Sequence, residues 1–361
     1  MSSTLQRLTK LRELMKSEAI EAWLITHPIN RKYVTGFTGS AGYVLLTGTQ
    51  AWLITDFRYM TQAKQQLPTP FAVVQHDVAK PLETIADIVR VAGIRELHFE
   101  QDHVSVAIYQ KYVEAFGSKL KLIASASMVE QLRQTKDAEE LAHIRQAVRL
   151  ADEAFAHILQ FLKPGMSERE VAFELELHMR RAGATAPSFE IIVASGERSA
   201  LPHGIASDRF LSRDEFVKMD YGAIVQGYCS DLTRTIVIGK PSPKHVEIYE
   251  IVLAAQQAVL SKLRAGMTGR EADALARTVI DNHGYGDYFG HGTGHSLGLE
   301  IHEQPRLSKM EERELQAGNV VTVEPGIYLP EFGGVRIEDI VIIQENGCEI
   351  LTQSPKELIC L

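Results

Sequence analysis

The chain has 361 residues, of which 45% are hydrophobic and 23% charged, an ordinary globular composition that is long enough for two hydrophobic cores. The formal net charge is −8 and no basic stripe occurs, which argues against nucleic acid as a partner. No apolar run approaches the roughly 20 residues of a membrane helix, and there are only three cysteines, so we expect a soluble, cytoplasmic protein that is not membrane-bound.

The first part of the chain alternates helical and β-prone segments. Leucines at positions 5, 8, 11 and 14 lie between charges at near-helical spacing and predict an amphipathic helix. Short β-prone runs follow, namely AWLIT, YVLLT, a second AWLIT, FAVV, LHFE and LKLIA, with helices predicted around 59–66, around 82–91 and after LHFE. This pattern predicts an α/β domain over residues 1–130.

A long helix is predicted next, in the segment QLRQTKDAEELAHIRQAVRLADEAFAHILQFL. Asp137 and Glu140 have the spacing of a capping box at its start. Its predicted apolar face consists of Leu141, Ile144, Val148, Ala151, Phe155 and Leu159. We place this helix at the start of a second domain over residues 131–361.

The second part of the chain repeats itself. LKPGMSEREVAF begins at Leu162 and LRAGMTGREADA begins at Leu263, and each predicts a helix opened by a capping box. FVKMDYG and VVTVEPG then end β-prone runs in an acid with Gly two residues on, and SDLTRTIVI and GGVRIEDIVII place an acid before an apolar tail. Because these similar segments recur in the same order, they predict an α+β domain of two halves related by a pseudo-twofold axis, with the acids meeting at that axis. The alternative is a chance repetition of common helix-start chemistry.

Four acids from these segments and one histidine that lies between two of them are candidate metal ligands: Asp220, Asp231, His295, Glu324 and Glu338. The run YGAIVQGYCS between the two aspartates reads as a hairpin with Gly227 near its turn, which brings both carboxylates to one place. Strand alternation turns Glu338 and Asp339 to opposite faces, and we choose Glu338 for the site. Four carboxylates balance two divalent cations, and an oxygen-rich set with one imidazole suits Mn²⁺, Co²⁺ or Zn²⁺.

The histidine-rich segment FGHGTGHSLGLEIHEQPR contains too many glycines for a helix. It is either a tight surface turn or part of the same site. The segments MDYGAIVQGYCSDLTRT, HGTGHSLGLEIHE, VTVEPGIY and GGVRIED, in this order, closely resemble the pita-bread metallopeptidases, among them prolidase, aminopeptidase P, methionine aminopeptidase and the metal-free creatinase. The resemblance runs from Met128 to the C-terminal end and implies a pita-bread catalytic domain. Creatinase lacks these metal ligands, so a creatinase function is not expected.

The resemblance also implies roles for individual residues. Asp220 would bind one metal ion and Asp231 both, His295 and Glu324 would hold the other, and Glu338 would bridge, with Mn²⁺ favoured as the metal. Glu324 would also shuttle a proton. Three histidines would contact the substrate or stabilise charge on its carbonyl, and three further residues would line the site: His203, His291 and His302, and Tyr228, Tyr328 and Arg336.

The first domain resembles the N-terminal domain of creatinase, prolidase and aminopeptidase P, most clearly in YVTGFTGSAG and TDFRY. Methionine aminopeptidases lack this domain. In the larger relatives it reaches across a dimer, so the resemblance implies a homodimer in which Arg58 contacts the partner's site. The alternative for Arg58 is a local ion pair with Asp56.

Peptides with proline at the second position are the substrates that this resemblance implies. Arg306 stands where prolidases have an arginine that meets the carboxylate of the dipeptide's proline, which favours an Xaa-Pro dipeptidase slightly. Alternatively, Arg306 caps a loop or pairs with Glu303. A short aminopeptidase P is the main alternative function. An enzyme of the same fold acting on another amide or ester, and a peptide-binding module without catalysis, are weaker ones.

Overall fold

The computed structural model describes residues 3–361, and the chain divides into two compact units, Met1–Arg133 and Gln134–Leu361. The domain bounds expected from the sequence, 1–130 and 131–361, stay a prediction beside this division. Within residues 3–361, none of the helices has the length and apolar character that spanning a lipid bilayer requires.

The first unit contains six α-helices, one short 3-10 helix (Phe57–Tyr59) and six strands among its described residues. The helices are α1 (Ser3–Ser17), α2 (Pro28–Thr35), α3 (Met60–Gln66), α4 (Pro81–Val91), α5 (Val106–Phe116) and α6 (Met128–Gln134). The strands are β1 (Ala22–Ile25), β2 (Tyr43–Thr47), β3 (Ala51–Thr55), β4 (Phe71–Gln75), β5 (Glu96–Glu100) and β6 (Lys121–Ser125). They form one mixed sheet in the order β4-β3-β2-β1-β5-β6, which confirms the predicted α/β architecture.

The N-terminal helix buries a face that differs slightly from the predicted one. Leu8, Leu11 and Met15 are buried, whereas Leu5 and Leu14 are half-buried. A strict three-residue spacing drifts around a helix with 3.6 residues per turn, so the buried face passes to Met15, four residues after Leu11. The helix is nevertheless amphipathic, as predicted.

The second unit contains the remaining helices and strands. The helices are α7 (Ala138–Phe161), α8 (Glu168–Arg181), α9 (Pro243–Leu260) and α10 (Gly269–Asn282). The strands are β7 (Ala186–Pro187), β8 (Ile192–Ser195), β9 (Glu215–Tyr221), β10 (Ala223–Val225), β11 (Tyr228–Cys229), β12 (Leu232–Ile238), β13 (Gly294–Ser296), β14 (Glu303–Leu307), β15 (Val320–Val323), β16 (Gly326–Leu329), β17 (Gly333–Arg336), β18 (Asp339–Gln344) and β19 (Gly347–Ile350). Its main sheets run β12-β9-β8 and β14-β13-β15-β18-β19.

The long helix α7 opens with the predicted capping box. The Asp137 carboxylate accepts a hydrogen bond from the backbone N–H of Glu140 at 2.9 Å, and the Glu140 carboxylate accepts one from the N–H of Asp137 at 3.0 Å. Ile144, Val148 and Phe155 are buried along its apolar face. These hydrogen bonds satisfy two of the free donors at the helix start and fix where the helix begins.

The duplication seen in the sequence is present in the structure. α7 and α8 precede the sheet of the first half, and α9 and α10 precede the sheet of the second, with capping boxes at the starts of both α8 and α10. Before each box the chain makes the same backbone bond, from Gly165 N to Leu211 O and from Gly266 N to Leu315 O, both at 2.9 Å. The second unit therefore consists of two similar halves, and the acids of interest lie on or directly beside strands of both.

Candidate metal centre and active site

A hairpin brings the two aspartates of the first half together. Asp220 lies on β9, opposite Thr233 of β12, and Asp231 comes directly before β12. The tip is formed by β10 and β11, and Gln226 and Gly227 between them have positive φ angles of 52° and 90°, as the tight turns of two-residue hairpins require. The predicted hairpin is confirmed, with Gly227 in its turn.

The second half contributes the other three candidate ligands. His295 lies on β13, Glu324 directly follows β15, and Glu338 directly precedes β18. The Nε2 atom of His295 is 3.6 Å from Asp231 Oδ2 and 3.3 Å from Glu324 Oε1. Potential ligand atoms of Asp231, His295 and Glu338 all lie within 4.8 Å of one another. The fifth candidate, Asp220, lines the same cavity.

Strand alternation separates Glu338 from its neighbour. The Glu338 carboxylate faces the cluster and accepts a hydrogen bond from Thr233 Oγ1 at 2.7 Å. Asp339 points the other way, to a buried ion pair with Arg234 at 2.8 Å and a second ion pair with Lys356 at 2.7 Å. Asp339 is thus neutralised by its own partners, and Glu338 is the acid of this pair that is available to the cluster.

The cluster has the chemistry of a cation site. Among residues 3–361, the buried oxygens Asp220 Oδ1, Asp231 Oδ1 and Glu338 Oε1 have no hydrogen-bond partner. Burial and the neighbouring carboxylates raise the pKa of Asp231 and of Glu338, and burial raises the pKa of Glu324 to about 7. Unpaired buried carboxylate oxygens are costly, and divalent cations bound between them would remove both the repulsion and the missing contacts. The donors therefore fit metal ions.

Arg336 ties the cluster to the side chains around it. Its guanidinium forms an ion pair with Asp220 and donates to Tyr328 Oη at 2.9 Å and to the carbonyl oxygen of Pro202 at 3.1 Å. Tyr328 Oη is also 2.8 Å from His291 Nε2. Burial, with the nearby Arg336 charge, lowers the pKa of His291 to about 4, so its imidazole is neutral at physiological pH.

A cavity of about 500 Å³ opens above the cluster, within the usual range of small-ligand sites. All five candidate ligands line it. So do five further candidate site residues: His203, His291, His302, Arg306 and Arg336. Apolar side chains complete the wall: Phe189, Ile192, Pro202, Ile205 and Ile301. The cavity therefore has a charged floor, a rim of imidazole and guanidinium groups, and an apolar side.

Arg306 belongs to this cavity by strand register. It lies opposite His295 in the antiparallel pair β13–β14, and the ring of His302 packs edge-on against that of His295 with centroids 4.4 Å apart. β14 buries Glu303 and exposes Arg306, and Glu303 forms a buried ion pair with Lys136 at 3.2 Å. The alternative in which Arg306 pairs with Glu303 is therefore not the arrangement that the structure shows.

Two of the predicted site residues stand elsewhere. Tyr228 is absent from the described residues that line the cavity, because it lies at the hairpin tip and packs on α7, where its hydroxyl donates to Glu140 at 3.2 Å. That Tyr228 lines the site stays a prediction. Tyr328 takes part through its hydroxyl, behind His291 and Arg336.

Arg58 lies in the first unit and forms a local ion pair. Its guanidinium binds both oxygens of Asp56, at 2.9 and 2.8 Å, and this pairing lowers the pKa of Asp56 to about 2. The local alternative for Arg58 is thus present in the chain. A contact across a dimer stays a prediction.

Sequence reasoning missed two threonines that support the ligands. Thr233 donates to Glu338, and its hydroxyl also accepts from Arg336 Nε at 3.0 Å. Thr322 donates to Glu324 at 3.1 Å. Thr233 stands two residues after Asp231 and Thr322 two before Glu324, and the two-residue period of a strand is the pattern that would have identified them.

Known proteins match this chain along its whole length. Residues 142–345 match the model of metallopeptidase family M24, and residues 7–135 match the creatinase/prolidase N-terminal domain. The Xaa-Pro dipeptidase of Pyrococcus furiosus is 40% identical, over 98% of this chain and 99% of that protein.

Two solved structures extend the comparison. The Xaa-Pro dipeptidase from Bacillus anthracis has a TM-score of 0.96 and 48% identity, over 99% of this chain and 100% of that one. The X-Pro aminopeptidase from Thermotoga maritima has a TM-score of 0.90 and 40% identity, over 98% and 99%. The α/β N-terminal domain and the duplicated pita-bread domain expected from the sequence are confirmed, and the chain belongs to metallopeptidase family M24.

Proposed function

We propose that this chain is a metal-dependent hydrolase that cleaves the Xaa-Pro bond of peptides with proline at the second position, and that Xaa-Pro dipeptides are its preferred substrates. The observation that carries the proposal is the arrangement of one cavity, in which a cluster of four carboxylates and one imidazole forms the floor and Arg306 lies beside it. Family membership and the dipeptidases of Bacillus anthracis and Pyrococcus furiosus, at 48% and 40% identity, support the same reaction.

The cluster would hold two divalent metal ions. Asp220, Asp231, His295, Glu324 and Glu338 would hold them. Oxygen-rich sites with one imidazole favour Mn²⁺, with Co²⁺ and Zn²⁺ as alternatives. Metal bound there would activate a water molecule and polarise the scissile carbonyl.

The other side chains orient the peptide and handle charge and protons. His291 is neutral, and both of its ring nitrogens are engaged, Nδ1 with the carbonyl oxygen of Gly292 and Nε2 with Tyr328 Oη, so it would contact and orient the substrate through its ring on the cavity wall rather than transfer a proton. His203 and His302 lie on the cavity wall, where they would stabilise charge that develops on the carbonyl oxygen. Glu324 lines the cavity beside the proposed metal ions and would pass a proton to the leaving proline nitrogen while it remains a ligand.

Arg306 is the basis for preferring dipeptides. A guanidinium can hold a carboxylate through two hydrogen bonds, and in an Xaa-Pro dipeptide the only free carboxylate of the backbone lies on the proline next to the scissile bond. In a longer peptide that position is a neutral amide, which gains nothing from the charge. An aminopeptidase P activity is the second candidate, supported by the X-Pro aminopeptidase of Thermotoga maritima at 40% identity.

A homodimer and a cytoplasmic location complete the proposal. The match of residues 7–135 to the creatinase/prolidase N-terminal domain supports the homodimer. The low cysteine content supports the cytoplasmic location. Light scattering at micromolar concentration tests the dimer, since one chain has a mass of 40.2 kDa.

Side-by-side hydrolysis of Gly-Pro and Gly-Pro-Gly with added Mn²⁺ tests the preference for dipeptides. We expect kcat/KM to be higher for Gly-Pro. A kcat/KM for Gly-Pro-Gly equal to or above that for Gly-Pro would make aminopeptidase P the better description, and Gly-Gly serves as the control for the requirement for proline.

A further inference from the structure

Glu168, outside the metal centre, is a fully buried carboxylate that collects hydrogen bonds from two separate segments. Its Oε1 atom accepts from the backbone N–H and the hydroxyl of Ser195, both at 2.8 Å. Its Oε2 atom accepts from the N–H and the hydroxyl of Ser207, at 3.0 and 2.6 Å, and Arg198 forms an ion pair with the same oxygen. Both oxygens of Glu168 are therefore fully engaged.

These hydrogen bonds close both ends of the segment that carries His203. Ser195 ends β8, Ser207 stands four residues after His203, and the residues between them form a short 3-10 helix, Gly196–Ala200, followed by a loop. Arg198, paired with Glu168, also donates to the carbonyl oxygen of Ile205 at 2.9 Å. His203 and Ile205 both line the cavity. Glu168 therefore holds, from the protein interior, the two ends of a segment that forms part of the cavity wall.

Glu311 occupies a comparable place in the second half. Its carboxylate accepts from the backbone N–H of Arg306 at 3.2 Å and from the N–H of Arg313 at 3.1 Å. The Arg313 guanidinium binds both of its oxygens, at 2.7 and 2.6 Å. The carboxylate thereby holds the backbone of Arg306, the residue whose side chain reaches into the cavity.

The two acids sit at equivalent junctions of the duplicated fold. At the start of α8, the backbone N–H of Arg169 donates a hydrogen bond to the carbonyl oxygen of Ser207 at 3.1 Å. At the start of α10, the N–H of Arg270 donates to the carbonyl oxygen of Glu311 at 2.8 Å. Ser207 and Glu311 are therefore equivalent positions. Ion pairs repeat beside them, Arg169 with Asp208 and Arg270 with Glu312.

The buried acid lies on the helix in the first half and on the loop in the second half. In the first half the acid is Glu168, the first residue of α8, and it faces Ser207. In the second half the first residue of α10 is Gly269, where a Cβ atom would lie 2.1 Å from Arg306 O and 2.5 Å from Glu311 Cγ. The helix start there has no room for a side chain, and the loop residue Glu311 supplies the carboxylate instead.

Both acids are suited to act as charged anchors. Burial alone would raise the pKa of Glu168, but the hydrogen bonds from Ser207 and Ser195 outweigh it and lower the pKa. Burial opposes ionisation of Glu311 as well, and Arg313 and the backbone donors again lower the pKa. Hydrogen bonds to an ionised carboxylate are stronger than neutral ones, so each acid holds its loop firmly.

We propose that Glu168 and Glu311 are paired positioning residues of the active site, Glu168 for the His203 segment and Glu311 for Arg306. The inference rests on the proposed function, because it assigns catalysis to the first segment and recognition of the substrate carboxylate to the second. Neither acid is among the described residues that line the cavity. Each determines where a substrate-contacting side chain stands, and the two halves of the duplicated fold thereby divide chemistry and recognition between them.

Glu168→Gln and Glu311→Gln in the Mn²⁺-loaded full chain separate these roles. For Glu168→Gln we expect kcat for Gly-Pro to fall roughly tenfold, with KM and the inhibition constant of free proline changed less than about threefold. For Glu311→Gln we expect KM and the proline inhibition constant to rise roughly tenfold, with kcat nearly unchanged. Asp152→Asn is the matched control, since Asp152 also accepts backbone hydrogen bonds, from Gln353 and Ser354, and does not line the cavity.

Metal content and thermal unfolding are measured for every variant. Loss of metal from either Gln variant, or kinetic constants equal to those of Asp152→Asn, would overturn the positioning roles. If the wild-type chain itself does not cleave Gly-Pro, the proposed function and this inference fall together, whereas an active wild type with unaffected variants overturns the inference alone. Should a Gln variant not fold, a variant of a donor replaces it: Ser207→Ala removes a hydroxyl donor to Glu168, and Arg313→Lys removes the guanidinium that binds Glu311. Ser207→Ala must then lower kcat, and Arg313→Lys must raise KM.

Discussion

Arg306 lies directly opposite His295 in the antiparallel pair β13–β14, and both side chains line one cavity. Residues opposite each other on adjacent strands project to the same face, about 5 Å apart at Cβ. Arg306 thus brings a positive charge to the cavity face that carries the proposed metal ligand His295. In the proposed function this spacing selects substrates whose free carboxylate is one residue from the scissile bond.

Replacement of Arg306 by alanine tests this selection. We expect Arg306→Ala to lose about 2 kcal/mol of transition-state binding for Gly-Pro, a roughly 30-fold fall in kcat/KM, at the low end for a charged contact because Arg306 is solvent-exposed. Gly-Pro-Gly should lose much less. The measurement is kcat/KM for both peptides with both proteins, and an equal loss for the two peptides would exclude carboxylate recognition by Arg306.

His203 and His302 are expected to act on the substrate without holding metal. Changing either to alanine should lower kcat by roughly 10²–10⁴-fold, the range for losing one oxyanion donor or acid–base partner. Metal stoichiometry should stay at the wild-type value. Elemental analysis after gel filtration checks this, and stoichiometric loss of an ion from either variant would show that the histidine is a ligand.

The metal ions should stabilise the protein more at higher pH. Burial and neighbouring carboxylates raise the pKa of Asp231 and Glu338, and burial raises that of Glu324 to about 7, so the metal-free fold retains protons that the unfolded chain loses above its ordinary carboxyl pKa. The contribution of these three acids to the stability of the metal-free protein is therefore lost as the pH rises toward and through 7.

Metal binding needs the ionised carboxylates, which makes binding stronger as the pH rises. We expect the rise in Tm on adding Mn²⁺ to be larger at pH 8 than at pH 6. Calorimetry of metal-free and reloaded protein at both pH values measures it. A rise in Tm that is equal at the two pH values, or larger at pH 6, would contradict the protonation states described for these acids.

Asp231→Asn should abolish activity, because a proposed metal ligand would lose its charge and one of its two oxygen donors. We expect less than two equivalents of metal to remain and kcat to fall to the background. Asp152→Asn, remote from the cavity, should keep both metal and activity. A fully active Asp231→Asn protein would remove Asp231 from the metal centre.

The sequence was sufficient wherever the determining interactions are local or follow strand alternation. The capping boxes of α7, α8 and α10 depend on residues three apart, and the turn at Gly227 depends on its own backbone. The opposite directions of Glu338 and Asp339 follow from the pleat of one strand.

Features that depend on distant partners escaped prediction. Tyr228 lies on a two-residue strand at a hairpin tip, where alternation alone does not decide which side faces α7. Glu168 binds Ser207 across 39 residues of chain, and no local pattern marks that pairing. Such interactions are fixed by the packing of whole elements, which the spacing of residues in the sequence does not encode.

The central claim is that a metal cluster in this cavity hydrolyses the Xaa-Pro bond. Its most direct test is the rate of Gly-Pro hydrolysis by one preparation as purified, after exhaustive dialysis against a chelator, and after reloading with Mn²⁺. We predict that dialysis abolishes the activity and that Mn²⁺ restores it, with two equivalents of metal bound per chain. Undiminished Gly-Pro hydrolysis by protein that elemental analysis shows to be free of metal would contradict the account.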